Sequence, residues 1–305
     1  MTEPAIPAEP IPFRVLLDEA MRLTRRHFGK IYLPVAIPLA LLSALLVLAQ
    51  SRWMSGAMAG QDPIAFWTGP GCVGFVVTML AALVVQFLSY GVLTAAGVDG
   101  ATGKPIDMKA KWAFMFQPSV LGTLFLAFLA VAAGLICLVL PGLYIALMLS
   151  FVIPVMALEG LRGGAALRRS WQLVRYNPRR RFIENPGTKI FLLYLVAGVI
   201  GWLLGMLIQI PLTAIQGMSM ARQLSSGGTV DPQALVDSMR WVQVPSAILG
   251  SLVSTAVRIY SSFGVVLLFI DVVRRKEGTD LAAAINARFG GGDPNAPPPS
   301  TAGSA

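Results

Sequence analysis

SVLGTLFLAFLAVAAGLICLVLPGLYIALMLSFVIPVMAL, residues 119–158, runs for 40 residues without a charged side chain. One helix of that length would measure about 60 Å, twice the roughly 30 Å of hydrocarbon in a bilayer. Leu140-Pro141-Gly142 interrupts the run, and Pro and Gly end a helix and permit a tight turn. The stretch therefore reads as a hairpin of two spans, 119–139 and 142–158, with a single long kinked helix as the competitor.

Four further apolar segments lie outward from this pair, at 31–49, 73–95, 189–210 and 245–270. The composition agrees with a membrane chain. Of 305 residues, 55% are hydrophobic and 13% charged, against about 25% charged in a soluble domain. Mean hydropathy is +0.69. Too few charges remain to coat a water-soluble globule of this size. The fold class expected is all-α: a polytopic membrane protein with six transmembrane helices plus amphipathic interfacial helices, one domain over 12–288.

Charge placement supplies an independent test, because Lys and Arg collect on cytoplasmic segments near spans. The N-terminal region (Arg14, Arg22, Arg25, Arg26, Lys30), the second connection (Lys104, Lys109, Lys111), the fourth (Arg162 through Lys189) and the C-terminal region (Arg274, Arg275, Lys276, Arg288) hold 20 of the 24 basic residues. Six spans with both termini cytoplasmic put all of these on one side. Five or seven spans put a basic cluster on the wrong side.

The flanking segments carry their own patterns. Residues 1–11 and 289–305 are Pro-rich or Gly-rich and read as disordered tails. The first of these lacks the basic-then-apolar order of a signal peptide. Residues 12–30 have helical periodicity, with Phe13, Leu16, Leu17, Ala20, Thr24 and Phe28 on one face. That helix either lies in the membrane interface or packs on the protein. In the loop 212–244, Ser225–Gly228 is a polar stretch, and Asp231-Pro232 reads as an N-cap with Pro at the first helical position. A short external interfacial helix is expected there, with Trp241 at headgroup level.

Chemistry is sparse. One histidine, His27, and two cysteines, Cys72 and Cys137, exclude a zinc ribbon, a multi-histidine metal site and a disulfide framework. Both cysteines are expected at external span ends. A bridge is geometrically conceivable, and free thiols packed as small apolar residues are the plainer reading. No paired carboxylates, Cys/His pair or phosphate loop is visible, so no enzyme activity, cofactor or metal is expected, nor a nucleic-acid partner.

Two clusters stand out as candidate sites. Arg258 lies near the middle of 245–270, and Ser251, Ser254, Thr255, Arg258, Ser261 and Ser262 repeat at intervals of three and four, forming one polar stripe. A central arginine costs about 2.5–3.5 kcal/mol on insertion scales, and no carboxylate lies within the six segments to offset it. The stripe must face the bundle interior or a wet cavity. It is either an anion site for a lipid phosphate or small solute, or a structural arginine bonded to backbone carbonyls. The second cluster is the amphipathic segment 163–181. Ala166, Leu167, Ser170, Trp171 and Val174 face membrane or core, while Arg168, Arg169 and Arg175, with Arg179, Arg180 and Arg181 beyond, face outward. This face would attract anionic lipid at about 1 kcal/mol per basic residue, or it serves only to set topology.

LPGLYIALMLSFVIPVMALEG followed by ALRRSWQLVR, and LLFIDVVRRKEGTDL at 267–281, resemble the membrane domain of glycerophosphoryl diester phosphodiesterases and related bacterial membrane proteins of unassigned function. The resemblance covers most of 12–285, including RRHFGKIYLP. It implies a multi-span bacterial inner-membrane protein. It does not carry the phosphodiesterase chemistry, which belongs to a separate soluble domain with histidines, acids and a metal that this chain is not expected to supply.

The leading expectation is thus a non-enzymatic integral inner-membrane module that binds lipid, a membrane-protein partner or a second copy. A permease-like protein moving an anionic or amphipathic solute past Arg258 is the alternative, and no inverted repeat or acidic relay favours it. A lipid-modifying enzyme comes third, for want of an acid and base within the spans.

Overall fold

The structure, a computed structural model, describes residues 11–58, 70–175, 184–225 and 232–277. Every extended element among them is an α-helix: α1 (Phe13–Met58), α2 (Pro70–Ala101), α3 (Met108–Met115), α4 (Pro118–Cys137), α5 (Val139–Met148), α6 (Val152–Leu158), α7 (Gly163–Val174), α8 (Pro186–Ser225) and α9 (Pro232–Glu277). Six helical segments are long and apolar enough to cross a membrane: Phe13–Ser51, Cys72–Ala101, Pro118–Cys137, Val139–Leu158, Pro186–Ile215 and Val242–Lys276. The architecture is all-α and polytopic. Both terminal tails and the Gly/Ser loop fall largely or wholly outside the described residues.

Residues 13–58 form one helix rather than an interfacial helix followed by a span. Leu16, Ala20, Leu23, Ile31, Val35 and Leu39 are buried at intervals that keep one face of α1 inward, and that face lies along α9. The N-terminal stretch is packed on the bundle, and the helix runs on through Pro34 and Pro38. The expected external interfacial helix is likewise absorbed. Pro232 does open a helix, but that helix is α9 itself, continuous to Glu277. Asp231 lies outside the described residues, as does the side chain of Trp241.

The hairpin is present, and its turn is not where the Pro-Gly pair suggests. Leu138 alone is extended (φ −166°, ψ 146°) between α4 and α5. Pro141 sits in the first turn of α5, where a missing N–H has no helical partner to lose. Gly142 serves close approach. A Cβ on it would stand 2.6 Å from the Leu135 backbone nitrogen, and one on Gly134 would stand 2.9 Å from Gly142 Cα. A Pro-Gly pair is compatible with either a turn or a helix start; here the backbone contact of the two arms requires the second.

The fourth apolar segment is broken inside. Residues 149–151 separate α5 from α6, because Pro154 has no N–H for the Ser150 carbonyl. Ser170, on α7, fills the gap: its buried Oγ accepts from the Phe151 N–H (3.2 Å) and donates to the Met148 carbonyl (2.7 Å). α7 buries Ala166, Ser170, Leu173 and Val174. Trp171, expected to face membrane or core, is exposed and meets Tyr144 edge-on at 5.9 Å.

Most of the described basic residues gather at one end, with Arg52, Arg222 and Arg240 toward the other and Arg258 between. Arg162 donates to the Met156 carbonyl in the last turn of α6 and lies over the Phe114 ring, 5.0 Å from its centroid. Lys276 donates to the Gln172 carbonyl in the last turn of α7. Lys189 donates to the Ile11 carbonyl at 2.8 Å, and Lys111 pairs with Asp99 at 2.7 Å. Cations on helix C-terminal carbonyls are favourable partners for the helix dipole. The core sits toward this basic end: Leu16, Met115, Phe151, Met156, Leu173, Ile190, Phe263 and Phe269 are fully buried. Phe151 packs edge-on against Phe269 at 5.5 Å. The halves of α2 and α8 farther from it, Val73–Val84 and Val199–Met218, expose most of their large apolar side chains.

Candidate functional site

The polar stripe of α9 faces inward. Ser251, Thr255, Ser261 and Ser262 are buried, and Ser254 and Arg258 half-buried. Its opposite number is α2. Thr94 Oγ1 lies 3.4 Å from Ser262 Oγ, and Tyr90 is within electrostatic reach of Arg258. Both pairs are separated by 168 positions, so the two helices run parallel in one register. One turn along α2 from Tyr90, the Gln86 Oε1 is buried without a hydrogen-bond partner among the described residues.

Most of the hydroxyls predicted to hold an anion are already engaged with their own helix. Ser254 and Thr255 donate to the Ser251 carbonyl at 3.0 and 2.8 Å, and Ser261 donates to the Arg258 carbonyl at 3.0 Å. Arg258 itself has neither hydrogen bond nor ion pair to its guanidinium among the described residues. The carboxylates at the helix ends are taken elsewhere: Asp271 pairs with Arg275, and Glu159 receives Arg169 through Nε and Nη2 at 2.9–3.1 Å.

Its depth differs from the one its own helix implies. His27 stacks on Phe263 at 6.1 Å, and the Tyr32 hydroxyl donates to the Leu252 carbonyl at 3.2 Å. Lys30 falls between these contacts on α1, and Arg258 falls between them on α9. The two cations are level. Along its own span, Val242–Lys276, Arg258 is midway, while measured against α1 it is level with the edge of the first apolar segment. There a long cation can reach headgroups while its stem stays in hydrocarbon.

Residues not singled out from the sequence complete the site. The Tyr90 and Tyr194 hydroxyls are 2.7 Å apart, joining α2 to α8, and Ser150, in the break of the fourth apolar segment, faces Tyr194. Tyr90, Tyr194 and Ser150 all border one cavity between α2, the α4–α5 hairpin and α8. Arg258 does not line the cavity. The second candidate cluster is divided by the fold. Arg168 and Arg175 are exposed on α7, Arg169 is committed to Glu159, and Arg179, Arg180 and Arg181 lie outside the described residues. Cys72 and Cys137 are both free, and Cys137 is exposed rather than packed.

Residues 109–269 match a family described as a domain of unknown function, DUF7847. The chain belongs to that family. The DUF7847 segment runs from α3 to Phe269 in α9 and so includes Ser150, Tyr194 and Arg258, whereas α1 and Tyr90 lie before it. The family has no assigned function, and the match does not name the phosphodiesterase membrane domain. No curated protein and no solved structure matches the chain.

Proposed function

We propose that this protein is a non-catalytic integral membrane module that binds an anionic lipid at Arg258. The observation that carries the reading is a half-buried guanidinium with no carboxylate and no hydrogen bond among the described residues, standing level with Lys30 at the edge of an apolar layer. An unpaired charge there is costly unless a counter-charge or water meets it, and an anionic headgroup supplies one. The basic end, rich in exposed arginine, faces the cytoplasm of a bacterial inner membrane with both termini on that side. Arg168 and Arg175 on α7 add surface attraction for the same lipids. The likeness to phosphodiesterase membrane domains supports this envelope setting.

Native mass spectrometry of the detergent-purified protein tests the reading. Wild type retains an anionic phospholipid, and Arg258→Ala loses it. Identical lipid profiles in the two proteins would sink the proposal. The second reading, passage of an anionic amphiphile, draws on the cavity beside Tyr90. It requires saturable uptake that Arg258→Ala abolishes.

A further inference from the structure

The cavity bordered by Tyr90, Tyr194 and Ser150 measures about 620 Å³, within the roughly 300–1,000 Å³ of small-ligand sites. Apart from that one polar edge its wall is apolar, from Leu124 and Ala127 on α4 to Ala146 and Leu147 on α5. Phe128, Leu143, Phe191 and Leu195 line it and are also exposed at the surface. They belong to helices long and apolar enough to cross a membrane. The mouth therefore opens on hydrocarbon, where acyl chains are the surrounding solvent.

The polar edge is confined and directional. The two phenol hydroxyls share one hydrogen bond, which leaves one phenol proton for another acceptor: Thr94 beside Tyr90, Ser150 beside Tyr194, or a ligand oxygen. Arg258 does not line the cavity but is within electrostatic reach of Tyr90 on its edge. An apolar chamber, a hydroxyl edge and, near that edge, a cation with no ion pair among the described residues match the chemistry of an amphiphile's chain, ester linkage and anionic head.

We propose that this cavity holds one acyl chain of the anionic lipid bound at Arg258, with the Tyr90–Tyr194 pair at the junction of chain and head. The proposal rests on the Arg258 reading and names the ligand class for the same site: a phospholipid seated by one chain, not a free anion.

The test uses the full chain in detergent with an equimolar mixture of dioleoylphosphatidylglycerol and dioleoylphosphatidylcholine, retained lipid being counted by native mass spectrometry. Ala127→Phe and Ala146→Phe fill the cavity from two walls. Each is expected to lower retained lipid at least ten-fold while eluting as wild type on size exclusion. Arg258→Gln leaves the cavity open and is expected to keep bound lipid but lose the preference for phosphatidylglycerol. Well-folded phenylalanine variants that retain phosphatidylglycerol at the wild-type level overturn the acyl-chain site, whatever Arg258→Gln does. An Arg258→Gln protein that keeps the preference overturns the headgroup reading alone. Wild type is also photolysed with phosphatidylglycerol carrying a diazirine on its acyl chain, which needs no variant to fold. Adducts on Leu147–Ile153 or Phe191–Leu195 are expected. Adducts confined to the far halves of α1 and α8 overturn the site.

Discussion

Arg258 and Ser170 show two ways in which a polar side chain is tolerated in an apolar bundle. Ser170 is fully buried and completely used, since it caps a backbone donor and a backbone acceptor that the break at 149–151 strands. Removing it leaves both groups unsatisfied, each worth about 1–3 kcal/mol when buried. Ser170→Ala should therefore lower the stability of the purified protein by at least 2 kcal/mol in denaturant titration; an unchanged midpoint would show that the break does not depend on it. Arg258 is the opposite case, a cation with no hydrogen bond or ion pair among the described residues. Replacing a poorly compensated charge by an apolar group of similar size tends to stabilise. Arg258→Leu is expected to raise the thermal midpoint in lipid-free detergent while abolishing the preference for anionic lipid. A lowered midpoint in that assay would mean that the guanidinium serves the fold instead.

Among the elements, the hairpin shows how far the sequence could be read. Six apolar segments and a reversal between the third and fourth are plain from hydropathy. The turn was displaced because proline is equally at home in a turn and in the first turn of a helix, and only the approach of Gly134 to Gly142 decides between them. That approach makes a contrast with Gly201 and Gly205 in α8, which have the small-residue spacing of packed spans. A Cβ on Gly201 would make ordinary contact with Val257 at 3.7 Å, and one on Gly205 would meet nothing within 4 Å. Gly142→Ala should destabilise by about 1–3 kcal/mol, as overpacking does, whereas Gly205→Ala should be neutral in the same unfolding assay. The stripe of α9 was legible because one helix carries its whole period. The site built on it was not: Tyr90, Tyr194 and Ser150 come from three segments, and no local spacing announces a contact between helices.

At the scale of the whole molecule, the four long helices and the hairpin differ in reach. From the Phe151–Phe269 contact, α9 extends back 37 residues to Pro232, about 55 Å at the helical rise, while Leu138 lies 13 residues from Phe151, about 20 Å at most. The hairpin tip therefore stops well short of the far end of the bundle. The two native cysteines report on this directly, Cys72 near the far end of α2 and Cys137 beside the tip. A membrane-impermeant maleimide added to intact spheroplasts should label Cys72, and Cys137 should resist until detergent is added. Equal labelling of both thiols from outside would mean that the hairpin tip reaches as far out as Cys72.

The shortness of the hairpin bears on how orientation is encoded. A pair of helices that enters and leaves through the same face has even parity, and so does a pair that crosses and returns. Neither moves any connection to the other side, so the tally of lysines and arginines is identical for both. The charges say which way up the chain stands, and they are silent on how deep this one loop of it dips.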